Sequence, residues 1–369
     1  MNQIRATTLL CPVMIGRAQP LALLANSLDL ARKGNAQTLL ISGEAGIGKS
    51  RLVAEAKAQA TTQGRQTLQG NCFEPDRALP YAPLIDLLRN LATSESGDEM
   101  SALAGAAAPD LVKLSPEVAA RLPTVAPAPP TSPEQEKQRL FHALAQTLAR
   151  IARERPLLLI VEDIHWCDDN SLEFLLYFAR QAPTLHIPLL LTFRSDEIHE
   201  SLRHFLATLL RLRIATEVEL ERLNAGELDA MLRAMFALAH PVQAEFLHQL
   251  YGLTDGNPFF TEEILNALVA AGDIVFTDGR WDRKPLHEMR LPRTIHDAVV
   301  RRSDHLSAQA ADLLALAAVA GRRFNITLLE ALTERNEGQM IGLIKELIRP
   351  QLVVEESADQ FAFRHALTQ

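Results

Sequence analysis

The chain has 369 residues, 47% of them apolar, so it is too long for one ordinary hydrophobic core and is expected to form two or three domains. Its 37 basic and 45 acidic side chains give a formal net charge of −8, which leaves no overall positive field to attract a phosphate backbone. Direct DNA binding by this chain alone is therefore not expected.

The cysteines and the N-terminus indicate the compartment. Cys11, Cys72 and Cys167 are widely spaced and form no C-x-x-C pair, which argues against a disulfide framework or a thiolate metal site. The first 14 residues contain too short an apolar stretch for a signal peptide, and no run approaches the ~18 apolar residues of a membrane span. We expect a soluble, cytoplasmic protein in which residues 1–12 are an N-terminal leader.

Strand-like runs alternate with helical patterns through the first 220 residues, and this alternation predicts a parallel sheet with helices on both faces. Two of the runs, LLLIV and PLLLTF, lack polar alternation, as is typical of strands covered on both faces. Residues 13–220 are accordingly predicted to form one α/β domain. Its five predicted strands span residues 37–42, 66–70, 157–161, 187–193 and 216–220.

One segment interrupts this rhythm. Residues 101–133 contain seven of the 20 prolines and many alanines, with little apolar periodicity. This composition predicts a surface insertion or mobile loop before a helix that begins near residue 134.

After residue 220 the pattern becomes mostly helical. Residues 221–290 are predicted to form a helical lid domain that contains one short hairpin, signalled by the Asp-Gly pair in IVFTDGRW. In residues 291–369, helices are followed by a second hairpin, LVVEESADQFAFRH, which predicts a winged-helix-like domain. The chain stops soon after this hairpin, so we expect a truncated domain and a longer parent protein.

The segment GEAGIGKS, residues 43–50, matches the phosphate-binding pattern G-x-x-x-x-G-K-[ST] and lies between a predicted strand and a predicted helix, as that motif requires. Its glycines let backbone N–H groups curl around phosphates, and the positive end of the helix adds to the attraction. Lys49 would neutralise the β and γ oxygens, and Ser50 would offer its hydroxyl to Mg²⁺. The predicted nucleotide-binding residues here are Gly43, Glu44, Ala45, Gly46, Ile47, Gly48, Lys49, Ser50 and Arg51.

An acidic pair follows the third predicted strand. Glu162 and Asp163 come at its carboxyl end, where α/β sheets place their ligands. Adjacent strand residues point to opposite faces, so both can serve one site only if the strand ends there and the chain turns. With Ser50, they form the predicted Mg²⁺ site. Asp168 and Asp169 are instead predicted to start a helix.

Two further residues are candidates on physical grounds. Arg194 ends the fourth predicted strand and would lie beside the phosphates if that strand neighbours the central one. Pro258, in GNPFF, stands where proline commonly occupies the first turn of a helix.

Taken together and in this order, MIGRAQPLALL, ISGEAGIGKSRLV, IVEDIHWCDDNSLEFL, LTFRSDE, GNPFF and FAFRHALTQ resemble the ATPase region of STAND-class signal-transduction proteins. More narrowly, the set resembles the AAA-type ATPase region of large bacterial regulators related to LuxR-type and MalT-like transcription factors. The resemblance covers residue 12 to the end of the chain.

This resemblance implies three domains that close over ATP or ADP. It places Ile15, Gly16 and Arg17 at the adenine end, Pro258 against the base and His365 at the β-phosphate. Lys49 and Ser50 then correspond to the Walker A pair, and Arg194 to the sensor arginine. Relatives of this kind continue into a repeat array and a DNA-binding domain, or into cyclase or kinase domains.

These observations predict an ATP/ADP-controlled signalling switch that self-associates in its ATP state and hydrolyses ATP slowly. Glu162 stands where the Mg²⁺-binding Asp is usual and Asp163 where the water-activating Glu is usual, so Lys49, Asp163 and Arg194 are the predicted catalytic residues. The alternatives are an ATPase module of a cyclase- or kinase-linked protein, a P-loop kinase of small molecules and a nucleotide-independent interaction module. A GTPase is disfavoured because no N-K-x-D or T-K-x-D segment is present.

Overall fold

The computed structural model describes residues 9–277, 280–289, 306–321, 323–333, 335, 337–348, 352–357 and 360–363. By its internal contacts the chain divides into two compact units. The sheet unit comprises residues 18–44 and 49–220, and the helical unit comprises the described parts of 1–17, 45–48 and 221–369.

A five-stranded parallel sheet forms the centre of the sheet unit, as predicted. Its strands follow the order β2-β3-β4-β1-β5, and each neighbouring pair is parallel. They are β1 (Thr38–Ser42), β2 (Gln66–Asn71), β3 (Leu157–Glu162), β4 (Leu189–Thr192) and β5 (Ala215–Glu219). All five lie within one or two residues of the predicted positions. The architecture is that of a P-loop NTPase.

The apolar runs explain which strands are central. Every residue of β1 and β4 is buried, as are the first five of β3, because helices cover both faces of the sheet. The edge strand β5, with sequence ATEVE, buries only Val218. The main helices of the sheet unit are α1 (Ala18–Arg32), α2 (Lys49–Thr62), α3 (Ala82–Ser94), α7 (Pro133–Glu154), α8 (Asp169–Leu185) and α9 (Glu200–Arg211), with 3₁₀ turns at Glu74–Ala78 and Ile164–Trp166.

The prediction of a loop over residues 101–133 is wrong for most of that segment. The chain there forms α4 (Gly97–Ala104), a 3₁₀ turn (Gly105–Ala107), α5 (Ala108–Leu114) and α6 (Pro116–Arg121). These helices bury Met100, Leu111 and Val118 in the same core as the sheet. Only residues 122–132 lack regular structure.

The prolines of this segment mark helix starts rather than a loop. Pro109, Pro116 and Pro133 stand in the first turns of α5, α6 and α7, where a missing N–H costs nothing because that group has no partner within the helix. The short helices expose alanines as well as bury them, which hides the helical period in the sequence.

The helical unit begins with three helices and a hairpin. These are α10 (Ala225–Phe236), α11 (Ala244–Thr254), α12 (Pro258–Ala270), β6 (Ile274–Thr277) and β7 (Arg280–Arg283), with a 3₁₀ turn at Leu286–Glu288. Their core contains Leu232, Leu250 and Leu265, all fully or almost fully buried. The predicted hairpin is confirmed, since β6 and β7 pair in antiparallel fashion.

The C-terminal part of the helical unit has the element order of a winged helix. It contains α13 (Ala308–Ala320), β8 (Arg323–Asn325), α14 (Ile326–Thr333), α15 (Glu337–Ile348), β9 (Val353–Ser357) and β10 (Gln360–Phe363). Strands β8, β10 and β9 form an antiparallel sheet in that order. Phe324, Phe361 and Phe363 pack in its core with the three helices. The second predicted hairpin is thus confirmed. Residues 290–305 and His365 lie outside the described residues.

The described residues contain neither a helix that could cross a membrane nor a ready-made group of metal ligands. No helix among them is long and apolar enough to cross a membrane. No cluster of three or more His, Cys, Asp or Glu side chains in the same part of the chain is arranged to hold a metal ion by itself.

The burial of α5 gives a direct test of the corrected segment. Leu111 is completely buried, so Leu111→Ala should lower the free energy of unfolding by about 2–5 kcal/mol in urea titrations. Arg121→Ala, at an exposed position of α6, is the control and should change it by less than about 0.5 kcal/mol. Equal, small effects would mean that residues 101–121 are not part of the core.

Candidate nucleotide-binding site

Lys49 is the central side chain of the phosphate loop. Strand β1 ends at Ser42, the loop follows, and α2 begins at Lys49 itself. The residue is 7% exposed, and its Nζ donates hydrogen bonds to the carbonyl oxygens of Gly43 (2.7 Å) and Glu44 (2.8 Å). The ammonium is therefore held inside its own loop.

The surroundings of Lys49 lower the pKa of its ammonium to about 8, chiefly because burial removes it from water. Asp163 opposes this shift most strongly, and Asp196 and Glu197 oppose it further, whereas Arg194 adds to it. Asp163 and Arg194 are thus both close enough to Lys49 to act on the charge of its ammonium. The structure brings these three together at the carboxyl ends of β1, β3 and β4.

The acidic pair adopts the geometry that the sequence requires if both side chains are to serve one site. Strand β3 ends at Glu162, and Asp163 turns the chain in the left-handed region with φ 59° and ψ 43°. The Asp163 N–H donates to Thr192 Oγ1 at the end of β4 (3.0 Å), which fixes this turn. Asp168 then caps α8 by accepting from Ser171 N, as predicted.

The Glu162 carboxylate has a polar neighbour on the adjacent strand. Its Oε1 accepts a hydrogen bond from Gln69 Nε2 (2.7 Å), and Gln69 Oε1 in turn accepts from Lys57 Nζ of α2 (3.0 Å). Gln69 has no counterpart among the predicted site residues, because a glutamine in a short strand carries no recognisable motif.

Arg194 follows β4, which is the direct neighbour of β1, the strand that leads into the phosphate loop. Its guanidinium forms an ion pair with Glu197 and lies over the Trp166 ring, with Cζ 4.8 Å from the ring centroid. The other oxygen of Glu197 is 3.7 Å from Nε2 of the buried His165. Glu197 and Trp166 were not predicted site residues, although the spacing of Glu197 three residues after Arg194 is a usable signal.

Within the helical unit, the loop residues 45–48 contact the start of α12. Asn257 caps this helix by accepting from Phe259 N, and its Nδ2 donates to Ala45 O (3.0 Å). Phe259 N also donates to Gly46 O (3.3 Å). Pro258 occupies the first turn of α12, which confirms the expectation drawn from its position. The GNPFF segment therefore shapes the outer part of the phosphate loop.

Arg17 holds the same part of the loop from the N-terminal side of the helical unit. Its guanidinium donates to Ile47 O (3.2 Å) and Glu221 O (2.7 Å), and the residue is 7% exposed. Burial lowers the pKa of this guanidinium below its usual value, although Glu227 and Glu221 raise it. The resemblance places Arg17 at the adenine end of a nucleotide; its observed contacts are with the backbone.

The donor set of the acidic pair suits Mg²⁺. This ion prefers oxygen ligands and usually takes one or two carboxylates, with waters and substrate phosphates completing its octahedron. Glu162 and Asp163 supply carboxylates, and Ser50, exposed in the first turn of α2, supplies a hydroxyl. A cluster of three acidic or histidine ligands is not needed for an ion held in this way.

The family model for the AAA ATPase domain matches residues 13–192, the part of the chain that contains the phosphate loop and the acidic pair. Such domains bind nucleotides, usually with Mg²⁺, which agrees with the donor set around Lys49.

Two longer proteins resemble this chain over most of its length. An uncharacterised protein of Rhizobium meliloti (strain 1021) is 25% identical over 338 residues, which are 86% of this chain and 31% of that protein. The fold is similar to that of a signal transduction ATPase with numerous domains (STAND) from Pyrococcus horikoshii that has a tetratricopeptide repeat sensor. That similarity has a TM-score of 0.52 at 15% identity and covers 100% of this chain and 43% of the other. This chain thus spans less than half the length of either protein.

A third similarity is more distant. The Aeropyrum pernix Orc1 protein, whose structure contains DNA, aligns over 96% of this chain and 91% of its own, with 17% identity and a TM-score of 0.43.

The low pKa of Lys49 predicts a specific pH dependence of stability. Between about pH 8 and 10.5 the folded protein has released the Lys49 proton while the unfolded chain still holds it, so the free energy of unfolding rises with pH. In nucleotide-free protein, wild type should therefore gain stability relative to Lys49→Met across this window, by about 3 kcal/mol. Chemical denaturation at several pH values measures this difference. Lys33→Met, at an exposed position, controls for loss of one charge, and parallel profiles for wild type and Lys49→Met would contradict the prediction.

The close packing of the loop on α12 predicts unequal effects for two glycines. Gly46 and Gly48 both have positive φ (78° and 106°), so an added Cβ strains the backbone at either position. A Cβ on Gly46 would also lie 2.8 Å from Phe259 Cβ, whereas one on Gly48 meets nothing within 4 Å. Gly46→Ala should therefore lower the free energy of unfolding by about 1–3 kcal/mol more than Gly48→Ala. Equal losses in urea titrations would show that this contact is not tight.

Proposed function

We propose that this chain is the ATP- and ADP-binding switch of a signalling protein, and that it hydrolyses ATP slowly. The observation that carries the proposal is the buried Lys49 ammonium, held by loop carbonyls and facing Asp163, inside an AAA-type ATPase domain. A buried cation at the start of a helix suits the phosphates of a nucleotide, because both its charge and the helix N-terminus attract anions. The remaining residues of the predicted loop would donate their N–H groups.

Roles for the other site residues follow from their positions. Ser50 and Glu162 would hold Mg²⁺, which when bound neutralises charge on the phosphates. Asp163 would orient and deprotonate the attacking water, and Arg194 would meet the terminal phosphate. Ile15, Gly16, Arg17 and Pro258 remain predicted contacts of the adenine end, and His365 a predicted contact of the β-phosphate.

Slow hydrolysis is supported by the geometry of Asp163. Its carboxylate is one methylene shorter than that of the glutamate usual at this position, and its backbone N–H is tied to Thr192. On a backbone fixed in this way, the shorter side chain would reach a water on the far side of the phosphates less well than a glutamate would. A switch requires bound states that last longer than a signalling event, which slow hydrolysis would provide.

A regulatory role in transcription is the specific form of this proposal. The motif set resembles that of LuxR-type and MalT-like regulators, and the STAND protein of Pyrococcus horikoshii is described as having a repeat sensor. We infer that the full-length protein has a sensor and an output domain, that the ATP state self-associates, and that DNA is bound outside this chain. A cyclase- or kinase-linked output is the alternative, and the reading frame beyond Gln369 distinguishes them.

Nucleotide titration by calorimetry tests the proposal. We expect the purified chain to bind ADP and Mg·ATP, and Lys49→Ala to lose this binding because the phosphates lose their buried counter-charge. Unchanged binding in Lys49→Ala would contradict the site, and no binding by wild type at up to millimolar nucleotide would favour a nucleotide-independent module. Transfer of the phosphate to an acceptor other than water would instead indicate a small-molecule kinase.

The role of Asp163 gives a kinetic prediction. Wild type should turn over ATP well below the ~10 s⁻¹ typical of enzymes. Asp163→Asn should lower this rate by a further 10²-fold or so, since it removes the proton acceptor, while ADP affinity is largely retained. Asn is the matched substitution because it tolerates the left-handed conformation of this residue. A variant as active as wild type would exclude Asp163 as the base, and rapid wild-type turnover would exclude the slow switch.

A further inference from the structure

Arg194 already has an anionic partner within the sheet unit. Its guanidinium forms an ion pair with Glu197, three residues further along the chain, and stacks on Trp166. The Arg194 side chain is 13% exposed and that of Glu197 is 38% exposed, so the pair is only partly hydrated. In this arrangement the positive charge that would meet a terminal phosphate is neutralised internally.

Glu197 also lies near a buried histidine. Its Oε2 lies 3.7 Å from His165 Nε2, in the turn that follows the acidic pair, while Oε1 contacts Arg194. His165 and Trp166 are consecutive, and their rings are in contact, with centroids 4.4 Å apart. One short 3₁₀ turn thus supports both members of the ion pair.

A terminal phosphate and the Glu197 carboxylate would compete for the same guanidinium. Both present anionic oxygens, and the donors of one arginine can satisfy only a limited number of acceptors at a time. ADP lacks the phosphate that competes. The charge of Glu197 would therefore weaken the binding of ATP and not that of ADP. A purely structural ion pair would affect the binding of both nucleotides equally.

We propose that Glu197 is a built-in counter-ion that occupies Arg194 until a γ-phosphate displaces it. This inference rests on the proposed function, in which Arg194 meets the terminal phosphate. Glu197 is a positioning residue: it acts on the nucleotide through Arg194. Breaking the ion pair is a cost of ATP binding that ADP binding avoids, so Glu197 sets how strongly the site prefers ATP over ADP.

The first test measures affinity for ADP and for a non-hydrolysable ATP analogue, each with Mg²⁺, by calorimetry. Glu197→Gln should increase the affinity for the analogue by about two- to fivefold, the range expected for a partly exposed ion pair. The affinity for ADP should not change. Asp196→Asn is the matched control, because it removes the same negative charge from the neighbouring, exposed residue. Like Glu197, Asp196 also acts electrostatically on Lys49. Glu197→Asp, which keeps the charge, should behave more like wild type than Glu197→Gln.

Trp166 provides a second measurement that does not depend on turnover. The chain has two tryptophans, so Trp281→Phe leaves Trp166 as the single reporter of the guanidinium stacked on it. In this background the ATP analogue should change the Trp166 emission and ADP should not. Adding Glu197→Gln should shift the emission titration to a two- to fivefold lower analogue concentration. Adding Arg194→Ala should abolish the difference between analogue and ADP.

Each outcome separates the two proposals. If Arg194→Ala keeps the wild-type preference between the analogue and ADP, the role of Arg194 in the proposed function is wrong. If Arg194→Ala loses that preference while Glu197→Gln binds both ligands like wild type, the counter-ion proposal is wrong and the proposed function stands. Equal effects of Asp196→Asn and Glu197→Gln would show a long-range charge effect and would also overturn the counter-ion proposal.

Discussion

The burial of one ammonium group is the constraint on which the site depends. Lys49 begins α2, directly after the phosphate loop that follows strand β1, and little water reaches it there. A buried cation is costly unless it is hydrogen-bonded and near an opposite charge. Two loop carbonyls and the Asp163 carboxylate meet that requirement, and they can do so only because β1, β3 and β4 end at the same edge of a parallel sheet.

The same logic extends to the other charged groups of the sheet unit. Glu162 accepts from Gln69, and Arg194 is paired with Glu197 and stacked on Trp166. Without a nucleotide, the charged groups of Lys49, Glu162 and Arg194 therefore each have a partner within the protein. A ligand that binds such a site must replace these internal partners. The difference in affinity between two nucleotides therefore depends on which internal pairs each nucleotide breaks.

How much of this the sequence predicts differs from element to element. Strands β1, β3 and β4 were predictable because short apolar runs bounded by turn or charged residues are typical of buried strands, and the phosphate loop was predictable from its motif. The helices at 97–121 were missed because alanine is equally common inside and outside, and because Pro109 and Pro116 start helices as readily as they occupy loops. Gln69 contributes to the site only through contacts that the fold creates, so no linear pattern identifies it. The spacing of Glu197 three residues after Arg194, by contrast, is visible in the sequence.

The reversed order of the acidic pair has a physical reason in the backbone. After Glu162 the chain must turn sharply so that both acids can face one site, and Asp163 makes that turn with φ 59°. Among residues with a side chain, Asp and Asn adopt this left-handed conformation most readily, whereas Glu lacks the short polar side chain that can bond locally to the backbone. The left-handed turn after Glu162 therefore favours the shorter acid at this position. In this protein the local geometry of the turn and the slow chemistry proposed for the site have the same origin.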